Sequence, residues 1–449
     1  MTPVFDVVVI GAGFAGLSAA AAMAESGARV LVLDARPQAG GRATAFRDRE
    51  TGELVDNGQH VLFGCYRATF EFLRRIAAEP NVRAQPSLEL VCYDRERRRS
   101  VLRCPALPSP LHLLAGVMGW DPIPWRDRLS ALRLVGPLLA ARREVRIKGT
   151  VTPLPAGSTV DQWLRHHRQG EMLREWLWEP LAVAALNQQP SHASAAAFVR
   201  ILAEMFGPDP GAAAIVLPIK PLHEMYARPA AEYLSARGGE VRTSALARVV
   251  LEGSRVAAVE VRGERIAATR VVSAVPWFGL RALFAQPPAS LAPLLDAASA
   301  MAAQPIVTVN LWYDREVMQE PFVGLPGRTM QWVFDKRAAF GGTASHLSLV
   351  SSGATAIVGR TNAELAAVAA AEVASSLPGA EGARLVRATV VREKQATFSL
   401  APGQPHRPGA RTPIEGLVLA GDWTDTGLPA TIESAVISGH TAAAEALRG

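Results

Sequence analysis

Three glycines near the start of the chain, Gly11, Gly13 and Gly16, have the spacing of a phosphate-binding turn. Gly11 permits a tight strand-to-helix turn, Gly13 lets backbone approach a pyrophosphate, and Gly16 lets the following helix pack closely on a sheet. Phe14 and Ala15 lie in the first turn of that helix, whose N–H groups face the same phosphates. Asp34 ends the next apolar run, where a carboxylate accepts hydrogen bonds from ribose hydroxyls and repels a 2′-phosphate. Immediately after it, Ala35-Arg36 leads to Gly40-Gly41-Arg42, a second segment suited to phosphate approach, with Arg42 as a charge partner for the pyrophosphate. The glycine fingerprint alone does not choose between NAD and FAD; this second segment points to FAD.

The far end of the chain carries matching chemistry. Ala420-Gly421-Asp422 closes a strand and Thr431-Ile432-Glu433 opens a helix. Gly421 lets the chain approach a ligand, and Asp422 suits the ribityl or pyrophosphate region. A helix starting at Ile432 would offer N–H groups to the flavin N1–C2=O edge and stabilise the anionic reduced ring. Thr431 and Glu433 also fit a plain capped helix.

These residues need elements to hold them. FDVVVI (5–10) is a short β-branched run, as expected of a buried parallel strand. An Ala-rich helix then runs to Gly27, and ARVLVLDA (28–35) completes a βαβ unit. Residues 90–225 read as helical, rich in Leu, Ala, Arg and Trp. Strand-like runs follow over 239–275, with a turn at Glu252-Gly253-Ser254, and again over 305–350. Residues 362–378 form a helix, GLVLAGDW a last buried strand, and TIESAVISGHTAAAEAL a last helix. The order implies an α/β protein with interleaved domains. Residues 1–89, 225–285 and 396–449 form a Rossmann-like FAD-binding domain, and 90–224 and 286–395 a mixed sheet-plus-helix substrate domain.

Taken together, the fingerprint, the G-G-R segment and the terminal G-D…T-I-E unit resemble the amine-oxidase/phytoene-desaturase superfamily of flavoproteins. A closer likeness lies in Asp56-Asn-Gly58-Gln59-His60 with Gly64-Cys-Tyr66, in Trp178-Glu-Pro180-Leu with Asn187-Gln-Gln-Pro190, and in GDWTDTGLPATIESAV. These segments are similar to the squalene-associated FAD-dependent desaturases known as hydroxysqualene dehydroxylases. The resemblance implies replacement of the hydroxyl of a C30 isoprenoid allylic alcohol by hydrogen. Asp56 and His60 are then candidate acids and Tyr66 a hydrogen-bond donor, with Asp425 a further candidate that also suits a turn. Gly58, Gln59, His60 and Leu246 join the cofactor-side residues. Oxidative desaturation of a carotenoid-like polyene and a non-catalytic, flavin-stabilised lipid-handling role remain alternatives on the same fold.

Composition narrows the rest. The net charge is +6, but it is carried by scattered Arg, and no nucleic-acid-binding signature accompanies it, so no nucleic-acid partner is expected. Cys65, Cys92 and Cys104 form no metal-ligand spacing, and no metal is expected. No Cys lies beyond Cys104, which excludes a C-terminal cysteinyl–flavin bond and predicts non-covalent FAD. Between Ser399 and Gly449 the only aromatic is Trp423, so a C-terminal aromatic pair to sandwich an amine is missing. No apolar run reaches the roughly 18–20 residues of a spanning helix. The expected location is cytoplasmic, or peripheral on the inner face of the cell membrane. The apolar and Arg-rich stretch 107–148, with Leu111, Leu113, Leu114, Val117, Met118, Trp120 and Trp125, reads either as a membrane-surface segment or as core helices. Sequence leaves the oligomeric state and the reductant of FAD open.

Overall fold

The computed structural model describes residues 5–50, 52–108, 110–152, 155–207, 209–342 and 344–448. The first apolar run forms strand β1 (Val7–Ile10), followed by helix α1 (Phe14–Glu25) and strand β2 (Val30–Leu33). Val7, Val8 and Val9 are fully buried because helices cover one face of their sheet and a three-stranded antiparallel sheet, Ala247–Glu252, Arg255–Val261 and Glu264–Ala267, covers the other. That sheet is parallel and has five strands, ordered Glu240–Arg242, β2, β1, Val271–Ser273, Leu417–Leu419. Strands from near the two ends of the chain therefore share one sheet. The C-terminal helix Ile432–Arg448 crosses α1 so closely that a Cβ on Gly439 would lie 2.3 Å from the Ala15 carbonyl oxygen.

The second sheet has seven strands, ordered Leu385–Phe398, Ala303–Tyr313, His346–Ser351, Trp332–Asp335, Phe322–Gly324, Glu89–Tyr93, Arg99–Arg103. All its pairings are antiparallel except that of Phe322–Gly324 with Glu89–Tyr93. Its two faces differ. Val307, Val309 and Leu311 point to the helix Asn362–Ser376, which starts in a capping box formed by Thr361 and Glu364. Leu90, Cys92, Leu102, Phe322, Phe334 and Val350 point the other way, into a helical layer whose centre holds Trp120, Trp163, Trp178 and Phe198.

Two expectations change and one open alternative is settled in part. The block 90–225 is not wholly helical, because Glu89–Tyr93 and Arg99–Arg103 are strands of the second sheet and Ile215–Pro218 pairs with Leu62–Phe63 and Val82–Ala84. The helix Ala292–Ala300 buries Leu295 and Ala298 with Leu417 and Trp277, on the five-stranded-sheet side, so the chain leaves that core later than the expected boundary at 286. Of the two readings left open for 107–148, Trp120, which is fully buried, and Leu113 and Val117, also in the core, follow the core one and are not surface anchors. Among the described residues no helix is long and apolar enough to cross a membrane.

Candidate functional site

The phosphate cradle is built as the glycine spacing requires. Gly13 precedes α1, whose first turn carries no side-chain cap and no acidic residue, leaving its N–H groups for an anion. A Cβ on Gly13 would meet only the Gly41 Cα, at 3.8 Å, so the space in front of it is open. Gly41, with φ of 56°, comes so near that its own Cβ would lie 3.1 Å from the Gly13 Cα. The two glycine segments thus face each other, and the residues present fit a dinucleotide pyrophosphate. Phe14 and Ala15 can contribute only backbone here: Phe14 is buried and stacks on Tyr226, ring centroids 3.6 Å apart, while the Tyr226 hydroxyl donates to the Gly40 carbonyl at 2.6 Å.

Asp34 accepts from the Ala12 and Arg36 amides at 2.7 and 2.8 Å, which holds the carboxylate at the strand end. Arg36 donates through its side chain to the Gly41 carbonyl at 2.7 Å. The Asp34 carbonyl accepts from the Ala245 amide, so Leu246, 65% exposed, follows directly on the chain that flanks the end of β2. Ala35 follows on the exposed rim.

Arg42 and Asp422 meet each other. Their side chains pair at 2.6 Å, and Arg42 also donates to the Ala396 carbonyl at 2.5 Å. Asp422 raises the affinity of the guanidinium for its proton against the cost of burial. Gly421 donates to the Ser438 hydroxyl at 2.8 Å, anchoring the last strand to the last helix. Thr431 caps that helix, accepting from the Ser434 amide at 3.1 Å, and Ile432 is its first residue. Glu433 does something the sequence did not suggest. Its carboxylate accepts from the Ala68 and Thr69 amides, both at 2.9 Å, and from the Thr69 hydroxyl at 2.7 Å, capping helix α2 (Arg67–Arg75). Nothing near Glu433 in sequence signals this partner. The α2 cap brings the Tyr66 phenol to Thr431, with which it hydrogen-bonds; burial pushes its pKa up, so it keeps its proton.

The candidate acids sit differently. Asp56 is 3% exposed, ion-paired with Lys336 at 2.7 Å, and accepts the Leu222 amide at 3.2 Å. An acceptor so occupied suits positioning, not proton donation. Lys336, 3% exposed, also donates to the Gln59 amide oxygen at 2.6 Å, fixing the side chain next to His60. Burial lowers the His60 pKa, and its Nδ1 donates to the Gly58 carbonyl at 3.2 Å, leaving Nε2 as an acceptor. His60 is therefore better arranged to accept a proton than to give one. Asp425, in contrast, is a turn residue that accepts from Gly427 at 3.3 Å and meets Arg407 at 3.4 Å. Sequence reasoning missed Lys336 because an isolated Lys has no spacing signal. Asn187 of the N-Q-Q-P motif ties helix to sheet, donating to Gln304 and Thr397 and accepting from Gly353. Trp423 is buried and donates to the Val275 carbonyl, so it lines no amine site. Among the described residues no group of acidic, His or Cys side chains could hold a metal.

Comparison with known proteins agrees with this geometry. The family model for flavin containing amine oxidoreductase matches residues 14–447. The hydroxysqualene dehydroxylase of Rhodopseudomonas palustris is 32% identical over 97% of this chain and 96% of its own length. That of Zymomonas mobilis is 27% identical over 98% of both chains. The crystal structure of an oxidoreductase from Methanosarcina mazei superposes with a TM-score of 0.75 at 17% identity, covering 99% of this chain and all of that one, which shows a common fold. This chain belongs to the flavin containing amine oxidoreductase family, in which hydroxysqualene dehydroxylases are its full-length relatives.

Proposed function

We propose that this FAD-dependent oxidoreductase reductively dehydroxylates hydroxysqualene to squalene. One observation carries the reading beyond the family. The face of the second sheet that meets the helical layer is apolar across Leu90, Cys92, Phe322, Phe334 and Val350. It turns polar at Thr308, Asn310 and His346, where a Cβ on Gly58 would come within 3.8 Å of the Thr308 hydroxyl. A long hydrocarbon bearing one hydroxyl matches that gradient; a small amine does not.

Overall, the allylic C–O bond gives way to C–H: one hydride, which carries the two electrons, goes to carbon, and one proton, drawn ultimately from solvent, goes to the hydroxyl, which leaves as water. Bound FAD, in its reduced form, supplies the hydride. The chain's own residues bind, orient and exclude water. The helical layer keeps the hydrocarbon dry. Tyr66, still protonated, donates beside Thr431 at the start of the last helix, and the His60 Nε2 lone pair accepts. Lys336 and Asp56 hold the Gly58–His60 segment against the second sheet.

The reading also assigns the membrane partner. Trp125, Leu129, Leu132, Leu139 and Leu111 are 63, 52, 49, 47 and 53% exposed, in the same stretch as exposed Arg126, Arg133, Arg143 and Arg146. Behind them opens an apolar groove lined by Leu113, Leu134, Leu138, Trp178 and Phe206. Interfacial apolar side chains among basic ones are what a membrane-surface segment requires. Leu129→Asp and Leu132→Asp should reduce co-sedimentation with anionic liposomes while FAD is retained; unchanged binding refutes the docking face. For the reaction, anaerobically reduced holoenzyme and hydroxysqualene should yield squalene. Absence of squalene, with new conjugation appearing in a polyene offered to the oxidised enzyme, would replace dehydroxylation by desaturation.

A further inference from the structure

The strand Ala303–Tyr313 alternates as a two-faced strand must. Val307, Val309 and Leu311 fill the core under the helix Asn362–Ser376, and Ile306, Thr308, Asn310 and Trp312 look the other way. On that second face the Thr308 hydroxyl and the Asn310 Nδ2 are buried, their residues 1 and 2% exposed, and neither has a hydrogen-bond partner among the described residues. Leaving such groups unpaired is costly, so two in succession point to a ligand. Asn310 is also held in place. The His346 Nε2 donates to its Oδ1 at 3.0 Å, and the His346 ring is stacked on Trp312, centroids 4.2 Å apart. The amide oxygen is thereby committed, and the amide N–H groups remain to donate.

We propose that Thr308 and Asn310 are the pair that recognises the substrate hydroxyl. Alternate residues on one strand face stand about 7 Å apart, so one oxygen midway is about 3.5 Å from each, and side chains leaning toward it bring both donors into hydrogen-bond range. Gly58 faces Thr308, since its Cβ would lie 3.8 Å from the hydroxyl. The hydroxyl is thus held where the cofactor-side segment Gly58–His60 meets the sheet. Along the same face Ile306 and Trp332 are apolar and pack toward the helical layer, where the hydrocarbon continues. A site built on two buried donors rejects a ligand that lacks the hydroxyl, because the donors are then left unpaired. The pair therefore makes the alcohol bind in preference to the hydrocarbon product and helps release that product. The proposal rests on the reading above in taking the ligand to be a long hydrocarbon with one hydroxyl.

The test compares Thr308→Val, Asn310→Leu and Thr308→Ser with wild type, all loaded with FAD. Hydroxysqualene and squalene are titrated in the same detergent micelles and followed by flavin absorbance. Wild type should prefer the alcohol by tenfold or more, on the order of what an unpaired buried donor costs. Val and Leu should each lose about tenfold of that preference by weakening alcohol binding only, and Ser should restore it. Absence of a preference in wild type, an unchanged preference in both apolar variants, or loss of FAD from them would each overturn the assignment. A wild type that prefers the alcohol yet forms no squalene would refute the reaction proposed above and leave the recognition pair standing.

Discussion

Replacing Gly13 separates cofactor binding from folding more cleanly than any other change at the fingerprint. Its φ is −86°, a conformation any residue adopts, and a Cβ there would meet nothing nearer than the Gly41 Cα at 3.8 Å. Gly13→Leu should therefore fold. Its side chain would occupy the space between the two glycine segments, where the pyrophosphate must lie against the uncapped first turn of α1. Displacing the phosphates from two backbone N–H groups removes two charge-assisted hydrogen bonds, each about 1.5–3 kcal/mol. The sum, about 3–6 kcal/mol, weakens FAD binding by roughly 10²- to 10⁴-fold. Gly16 is the control: a Cβ there would lie 1.8 Å from the Gly11 carbonyl oxygen, so Gly16→Ala should damage the fold itself. The assay is the flavin-to-protein absorbance ratio after purification, with titration of the apoprotein by FAD and a thermal melt of each variant. A Gly13→Leu protein that is folded and fully yellow would refute the placement of the phosphates.

Asp422→Ala removes the 2.6 Å partner of Arg42 and should lower FAD affinity about tenfold while the chain stays folded; unchanged flavin occupancy would leave Asp422 only a turn-shaping role. Lys336→Met strands Asp56 in a site 3% exposed and should cost about 3–5 kcal/mol in urea unfolding, most of it recovered in Asp56→Asn/Lys336→Met; a single variant within about 1 kcal/mol of wild type would show the pair to be dispensable. His346, buried and beside Lys336, is held down to about 3 against an ordinary 6.5. Above pH 6.5 it is neutral folded or unfolded; below, the unfolded chain takes a proton the folded chain refuses, so stability falls with pH until it levels off below 3. At pH 5 the loss is about 2 kcal/mol, and unfolding curves at pH 7 and 5 should differ by that much less in His346→Gln.

The first βαβ unit was legible because its buried parallel strands carry unbroken β-branched runs and its turn must be glycine. The strand Leu385–Phe398 was not legible. It carries Arg387, Arg392, Glu393 and Lys394, which break up any apolar alternation, and it is an edge strand where Arg387 pairs with Asp48 and Glu393 accepts from Asn57 at 3.3 Å. The strands Glu89–Tyr93 and Arg99–Arg103 were hidden in a helix-rich block because each is only five residues long and the sheet their hairpin joins, through Phe322–Gly324, lies more than two hundred residues away. Composition left Trp120 with two readings, interfacial or core, because an amphipathic segment has two apolar destinations, and this indole goes inward.

The carboxylates tell the same story at the site. Asp56 and Glu433 each looked available for chemistry or a local cap, and each is committed to a partner distant in sequence: Asp56 to Lys336, Glu433 to the amides of Ala68 and Thr69. For the proposed reaction this commitment has a chemical consequence. As the C–O bond of an allylic alcohol breaks, positive charge develops on carbon, and a free carboxylate nearby would capture that carbon or remove a neighbouring proton. Tying Asp56 to an ammonium and a backbone N–H makes it a weaker nucleophile and base, while the groups nearest the polar end of the sheet face, Thr308 and Asn310, are neutral. Hydride transfer then competes against few traps. It follows that Lys336→Met, beyond its cost in stability, should divert part of the product from squalene toward diene formed by proton loss, visible by mass two units below squalene. A product mixture unchanged from wild type would confine Lys336 and Asp56 to holding the Gly58–His60 segment against the second sheet.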